Sequence, residues 1–162
     1  MRDITFDESL ILYDLEAENN EEVLAKMARN LANKSLVKES YIHAVIERER
    51  AFPTGLPTQG VSVAIPHTDV EHVIEKAISV ATLKQPVPFA VMGENDRTTP
   101  VQIVFMLAMN EAHAQPTLLQ KLMQLIQDEK ALKYILTEKN KMTLKHWIVE
   151  RLGFHHLKGG DQ

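Results

Sequence analysis

The stretch Val61-Ser62-Val63-Ala64-Ile65-Pro66-His67 is a compact run of small and β-branched apolar residues that ends in a proline and a histidine. β-Branched residues favour strands, whereas proline cannot donate to a sheet ladder. We therefore predict a buried strand that stops at Pro66. Because the strand and the proline ring restrict the backbone, they would hold His67 in a fixed place at the edge of a sheet.

A loop and two helices precede this strand. Residues 52–60 read Phe-Pro-Thr-Gly-Leu-Pro-Thr-Gln-Gly, and this density of proline and glycine is typical of a loop with a shaped backbone. Apolar residues at helical spacing predict a helix from about residue 21 to about residue 32, behind a capping asparagine, and a second helix that is stopped by Pro53. The short apolar segment at residues 9–13 predicts an edge strand.

Strands and helices also follow the predicted strand that ends at Pro66. Residues 77–83 and 101–109 are apolar runs that predict two more strands, joined by a polar, proline-bearing connection that contains Gly93-Glu94-Asn95-Asp96. Leucine spacing predicts a helix after Gln115 with Pro116 in its first turn, and further helices at residues 131–136 and 144–152. The pattern predicts an α/β fold in which helices cover a single sheet.

Composition excludes several classes of function. The chain has 162 residues, 44% of them hydrophobic, which suits one globular domain. A net charge of −4 without a basic block argues against nucleic-acid binding, and the absence of cysteine excludes disulfides and thiolate metal sites. The longest apolar run, residues 103–109, is far shorter than the roughly 20 residues that span a membrane. We expect a soluble, cytoplasmic protein without membrane insertion.

His67 is the candidate nucleophile. A histidine near its usual pKa of about 6.5 is largely neutral at cytosolic pH, so one ring nitrogen can attack while a hydrogen bond orients the other. Phosphoryl transfer depends mainly on such positioning and on donors for the spread negative charge. The alternative is a histidine that merely ends a strand, and spacing alone leaves both interpretations open.

A metal site is a further alternative at the same place. The segment from His67 to His72 includes Asp69 and Glu71, so it offers two imidazoles and two carboxylates. The two histidines are five residues apart, however, and this differs from the i, i+4 pair of zinc proteases. We expect no metal ion, and His72 would instead form a hydrogen bond near His67.

Three residues upstream could stabilise an anion. The guanidinium of Arg48 could bind phosphate oxygens through two hydrogen bonds, or it could simply pair with neighbouring glutamates at the end of its helix. Thr54 could supply a hydroxyl and Gly55 a backbone N–H, or both could be ordinary turn residues.

Together these residues resemble a known signature. The order Arg48-Glu49, then Phe52-Pro53-Thr54-Gly55, and then Ala64-Ile65-Pro66-His67 resembles the IIA components of the bacterial sugar phosphotransferase system, of the fructose/mannitol type (type 2) and especially its galactitol-like branch. The resemblance implies a single mixed β-sheet flanked by helices on both faces. It also implies a IIA domain over residues 1–154, with 155–162 as a disordered C-terminal tail.

The resemblance implies a phosphotransferase that carries phosphohistidine and needs no cofactor. Its phosphoryl donor would be HPr, and its acceptor would be a cysteine of a separate IIB component, while the membrane IIC component would carry the sugar. By motif position, His67 would be phosphorylated and Arg48 and Thr54 would assist. A IIA-like sensor that regulates partner proteins is the alternative function.

One position departs from the family pattern. The fructose and mannitol types have a second active-site histidine at the start of the leucine-rich helix, where this chain has Gln115, with His113 two residues earlier. A glutamine can donate a hydrogen bond to a phosphoryl oxygen but does not change charge with pH. The role of either residue stays open.

Overall fold

The structure, a computed structural model, describes residues 4–109, 116–153 and 157–158 of the chain. Its strands are β1 (Ile4–Thr5), β2 (Ile11–Leu15), β3 (Gly55–Leu56), β4 (Ser62–Ala64), β5 (Ala77–Val91), β6 (Glu94–Ala108) and β7 (Leu157–Lys158). Its α-helices are α1 (Asn20–Asn33), α2 (Ser40–Ala51), α3 (Pro116–Ile126), α4 (Glu129–Thr137) and α5 (Lys141–Leu152). Two short 3-10 helices cover Glu8–Leu10 and Val70–His72.

The strands form one mixed sheet. Their order is β3-β4-β6-β5-β1-β7, and β2 pairs with β5 outside this path. The pairs β5–β6 and β3–β4 are antiparallel, whereas β4 runs parallel to β6 and both β1 and β2 run parallel to β5. The predicted single mixed sheet is confirmed.

Burial along β5 shows that both faces of the sheet are covered. Every residue from Ala77 to Leu83 is buried. Successive side chains of a strand point to opposite faces, so an unbroken buried run requires packing on each side. The five helices supply that packing through their apolar faces, as expected from the leucine and valine spacing.

The predicted helices are all present, and their ends follow from local chemistry. The side chain of Asn19 accepts a hydrogen bond from the backbone N–H of Glu22, which caps α1. The side chain of Asn140 does the same for Thr143 in α5. Gly153 follows α5 with a φ of 72°, a left-handed conformation that glycine adopts without strain.

The predicted connection between residues 83 and 101 is wrong, because the two strands continue through it. β5 and β6 form one long antiparallel hairpin that turns at Met92 and at Gly93, whose φ is 80°. Pro88 and Pro100 lie opposite each other, so both strands lack a backbone donor at the same point of the ladder. Buried Val87 and Phe89 alternate with exposed residues in this arm, and the prolines and exposed polar residues are what resemble a loop in the sequence.

Part of the predicted tail is also structured. Leu157 and Lys158 form β7, which pairs in parallel with Ile4 and Thr5 of β1. This pairing gives the backbone groups of β1 a partner on that side. Residues 155–156 and 159–162 of the tail lie outside the described residues. No helix in the described ranges is long and apolar enough to cross a membrane.

Candidate functional site

His67 lies just beyond the end of β4 and is half-buried. Its Nδ1 is 2.9 Å from the carbonyl oxygen of Ile65. A carbonyl oxygen can only accept, so in this hydrogen bond Nδ1 carries the proton and donates. In the neutral form of the ring the lone pair is then on Nε2, so Nε2 is the ring atom that could bind an electrophile.

The backbone around Pro66 is anchored to the sheet and to α2. The N–H of Leu107 in β6 donates to the carbonyl of Pro66 over 3.0 Å. The hydroxyl of Tyr41, from α2, donates in turn to the carbonyl of Leu107 over 2.8 Å. Tyr41 is fully buried, and this burial raises the pKa of its phenol. The segment before His67 is therefore held by two neighbouring elements.

Thr54 has its polar atoms occupied within the protein. Its backbone N–H and its hydroxyl donate to the two carboxylate oxygens of Glu49, over 2.8 and 2.9 Å. The same hydroxyl oxygen accepts from the backbone N–H of Ile65 over 3.2 Å. With 3% of its surface exposed, Thr54 is directed to Glu49 and Ile65 and does not present its hydroxyl at the surface.

Glu49 belongs to the signature in the sequence, but sequence reasoning gave it no role. It is only 4% exposed, and burial raises the pKa of its carboxyl, although the two hydrogen bonds from Thr54 oppose this shift. The signal was present in the sequence, because Tyr41, Val45 and Glu49 recur at four-residue intervals and form the buried side of α2. The charged run at residues 47–50 conceals this spacing.

Arg48 lies beside an exposed aromatic ring. Its guanidinium carbon is 4.6 Å from the centroid of the Phe52 ring, a cation–π distance. The neighbouring glutamates pair elsewhere, since Arg50 binds both Glu21 and Glu47. Within the described part of the chain Arg48 forms no ion pair, so its charge is available to an anion.

Gly55 brings the hairpin arm next to the loop. It pairs with Ala64 of β4 and with Val91 of β5, and its carbonyl accepts from the N–H of Met92 over 2.8 Å. A Cβ atom at Gly55 would lie 2.6 Å from the carbonyl oxygen of Ala90. A glycine is required at position 55 because its backbone lies so close to that of Ala90.

The proposed metal ligands do not converge. Nδ1 of His72 is 2.8 Å from the hydroxyl of Ser40, and its Nε2 is 3.5 Å from a carboxylate oxygen of Glu71. The expected hydrogen bond of His72 near His67 is replaced by contacts to Ser40 of α2 and to Glu71, while Asp69 is exposed. No group of three or more candidate metal ligands is found among the residues described.

His113 and Gln115, the candidates for a second site residue, lie outside the described residues. Of the three predicted site residues, Thr54 is linked to His67 through Ile65. No contact among the described residues joins Arg48 to His67.

Comparison with known proteins identifies the family. The family model "Phosphoenolpyruvate-dependent sugar phosphotransferase system, EIIA 2" matches residues 4–150. The chain is 32% identical over 114 residues to the transcriptional regulator ManR of Bacillus subtilis (strain 168). The aligned region covers 70% of this chain and 16% of the regulator. The chain is 28% identical over 116 residues to the galactitol-specific EIIA component of Escherichia coli (strain K12), which covers 72% of this chain and 77% of that protein.

A solved structure shows the same fold. The complex of enzyme IIAMTL and phosphorylated enzyme IIBMTL from Escherichia coli matches with a TM-score of 0.69 at 22% identity, over 94% of this chain and 99% of the matched chain. The sheet, the helices and the matched range of 4–150 thus agree with one family. The chain belongs to the EIIA 2 family of the phosphoenolpyruvate-dependent sugar phosphotransferase system, whose IIA domains are phosphoryl-transfer components.

Proposed function

We propose that this protein is a phosphocarrier that accepts a phosphoryl group from phospho-HPr on Nε2 of His67 and passes it to a cysteine of a IIB component. The observation that carries the proposal is the 2.9 Å hydrogen bond between Nδ1 of His67 and the carbonyl of Ile65. It selects one tautomer and leaves the lone pair on Nε2 before any donor arrives. Positioning of this kind is the main requirement of phosphoryl transfer.

The two transfer steps balance without a net proton change at His67. In the first, the Nε2 lone pair forms an N–P bond while the P–N bond to the donor's histidine breaks and that nitrogen keeps the electron pair. The phosphorylated ring carries a positive charge, which the Ile65 carbonyl stabilises at Nδ1–H. In the second, a thiolate of IIB attacks phosphorus, the N–P bond breaks, and Nε2 regains its lone pair.

Arg48 and Phe52 serve the docked partner in this proposal. Phe52 is 60% exposed and Met92, at the turn of the hairpin arm, is 43% exposed. Exposed apolar residues of this kind form the centre of transient interfaces. The guanidinium of Arg48, held over the Phe52 ring, would bind oxygens of the transferred group.

The galactitol-like assignment and a transport role rest on the 28% identity to the galactitol-specific EIIA component. Support for a IIB partner comes from the shared fold with the IIAMTL–IIBMTL complex. The exchange would take place in the cytoplasm, with the membrane IIC component acting only through IIB. A chain with no cysteine suits that reducing compartment.

The test is phosphoenolpyruvate-dependent labelling with enzyme I and HPr, read by intact mass. The wild type should gain one phosphate, and His67→Ala should gain none. His43→Ala is the matched control, because the side chain of His43 is 83% exposed and its Nε2 lies 3.7 Å from a carboxylate oxygen of Glu47. Retained labelling of a folded His67→Ala protein would overturn the assignment of His67.

A regulatory role is the second candidate, favoured by the 32% identity to the regulator ManR. The same labelled protein separates the two functions. Mixed with purified galactitol or mannitol IIB, a transport component should transfer its phosphate to the IIB cysteine. A sensor should keep its phosphate in that mixture and change its affinity for a protein partner when phosphorylated.

A further inference from the structure

We propose that Glu49 is a positioning residue for His67, acting through Thr54 and Ile65. This role rests on the proposed function of His67 as the phosphoryl acceptor, and it assigns a task to a buried carboxylate that the transfer steps themselves do not use.

The first link fixes the hydroxyl of Thr54. An ionised carboxylate only accepts hydrogen bonds, so the hydroxyl proton of Thr54 points to Glu49. The second carboxylate oxygen receives the backbone N–H of Thr54. Bound at two points and buried, Thr54 has one rotamer and one hydroxyl orientation.

The second link is a hydrogen bond from the backbone of Ile65, just beyond the end of β4, to the oriented Thr54 hydroxyl. With its proton directed to Glu49, the Thr54 oxygen presents a lone pair to the N–H of Ile65, 3.2 Å away. The paired residues of β4 end at Ala64, so Ile65 lies beyond the regular ladder. The bond from Thr54 therefore replaces a ladder bond at the residue that the ladder no longer controls.

The third link reaches the imidazole. The carbonyl of Ile65 accepts from Nδ1 of His67, so rotation of the Ile65 backbone would move the group that selects the ring tautomer. Loss of the Glu49 carboxylate would free the Thr54 hydroxyl, loosen Ile65 and weaken the preference for the proton on Nδ1.

The burial of Glu49 supports a specific role. Within the described residues no lysine, arginine or histidine forms an ion pair with it, and its hydrogen bonds go to Thr54. Removing a carboxylate from water without pairing it with a cation is destabilising in general. Perturbed groups of this kind cluster at functional sites.

The experiment compares Thr54→Val, which keeps the shape and removes the hydroxyl, with Thr54→Ser, which keeps the hydroxyl. Imidazole ¹⁵N NMR of the neutral side chain reports which nitrogen of His67 carries the proton, and labelling by phospho-HPr reports the transfer rate. Thr58→Val is the matched control, because the Thr58 hydroxyl donates to the carbonyl of Val61 in the same loop, and no hydrogen bond among the described residues connects it to His67.

We expect the wild type, Thr54→Ser and Thr58→Val to hold the proton on Nδ1. Thr54→Val should shift the tautomer equilibrium toward Nε2–H and slow phosphoryl uptake by about tenfold or more. Glu49→Gln should shift the tautomer equilibrium and the rate of phosphoryl uptake in the same direction. The glutamine NH₂ group cannot accept a hydrogen bond, so one of the two Thr54 donors would lose its acceptor.

A folded Thr54→Val protein with the wild-type tautomer and rate would overturn the proposal. If that variant does not fold, Glu49→Gln decides by the same criterion, and a wild-type His67 with its proton on Nε2 would overturn it without any variant. The tautomer spectra need no phosphoryl donor. Absence of labelling in the wild type would therefore count against the proposed function, while the spectra would still test the positioning role.

Discussion

At the scale of single residues, the site depends on hydrogen bonds that begin in α2 and end at His67. The hydroxyl of Tyr41 supports Leu107, whose N–H holds Pro66, and the carboxylate of Glu49 supports Thr54, whose oxygen holds Ile65. One helix therefore supports both residues that precede the histidine.

The hydroxyls of Tyr41 and Tyr13 provide a matched pair for testing this support. Tyr41→Phe should lower the free energy of unfolding by about 1 kcal/mol, because it removes a buried hydrogen bond to the Leu107 carbonyl. Tyr13→Phe should cause no loss, since the buried Tyr13 hydroxyl has no hydrogen-bond partner in the described structure. Urea unfolding of both variants measures the difference, and equal losses would contradict the prediction.

The position of His67 just after a strand could be predicted from the sequence, whereas the contacts that support it could not. A β-branched run stopped by proline is a local signal, and it placed the histidine correctly at the end of β4. The sequence predicts that the Thr54 hydroxyl binds an anion or belongs to an ordinary turn, and it does not reveal the partners Glu49 and Ile65, which come together only when α2 packs on the sheet. Such contacts depend on tertiary packing that no single segment encodes.

At the scale of elements, regular amphipathic patterns were predictable and the hairpin arm was not. Helix α1 matches its predicted span to within about two residues, and α2 ends just before Pro53 as predicted, since asparagine and proline signals mark these ends. The prolines and polar residues after Leu83 favour a loop in local terms. The pairing of β5 with β6 overrides that preference, because each strand supplies the other's backbone partners.

Gly55 tests the contact between this arm and the loop before His67. Gly55→Ala should destabilise the protein by roughly 1–3 kcal/mol, because the new Cβ would lie 2.6 Å from the Ala90 carbonyl oxygen and 3.2 Å from the Phe89 Cβ. Thermal unfolding measures the loss.

Gly60→Ala is the control for this substitution. Its Cβ would meet the carboxylate of Glu129 at 3.1 Å, and that exposed side chain can move away. We expect a change within about 0.5 kcal/mol. A Gly55→Ala protein as stable as Gly60→Ala would show that the arm does not need its close approach to β3.

At the scale of the whole molecule, the described helices and strands share one apolar core. A single cluster of buried residues includes members from α1, β4, β6 and α5. A chain with one core of this size usually unfolds in a single cooperative transition. The free energy of unfolding is then well defined, and its dependence on pH reports groups whose pKa changes on folding.

Glu49 should give the stability a pH dependence opposite in sign to that of a carboxyl whose pKa is lowered by folding, such as Glu21. Burial raises its pKa above 4.5 in the folded state, so between the unfolded and folded pKa values the native protein binds more protons. Stability from this group is therefore present below pH 4.5 and is lost as the pH rises through the folded pKa.

The measurement is the difference in unfolding free energy between the wild type and Glu49→Gln across a pH series, since groups common to both proteins cancel. Relative to the variant, the wild type should lose stability as the pH rises above 4.5, until Glu49 is ionised in both states. Glu21→Gln is the control, because Arg50 lowers the pKa of Glu21 and the wild type should gain relative stability as the pH rises toward 4.5. If the difference in unfolding free energy between the wild type and Glu49→Gln does not change above pH 4.5, folding does not desolvate the Glu49 carboxyl. The cost of burial that supports its positioning role would then be absent.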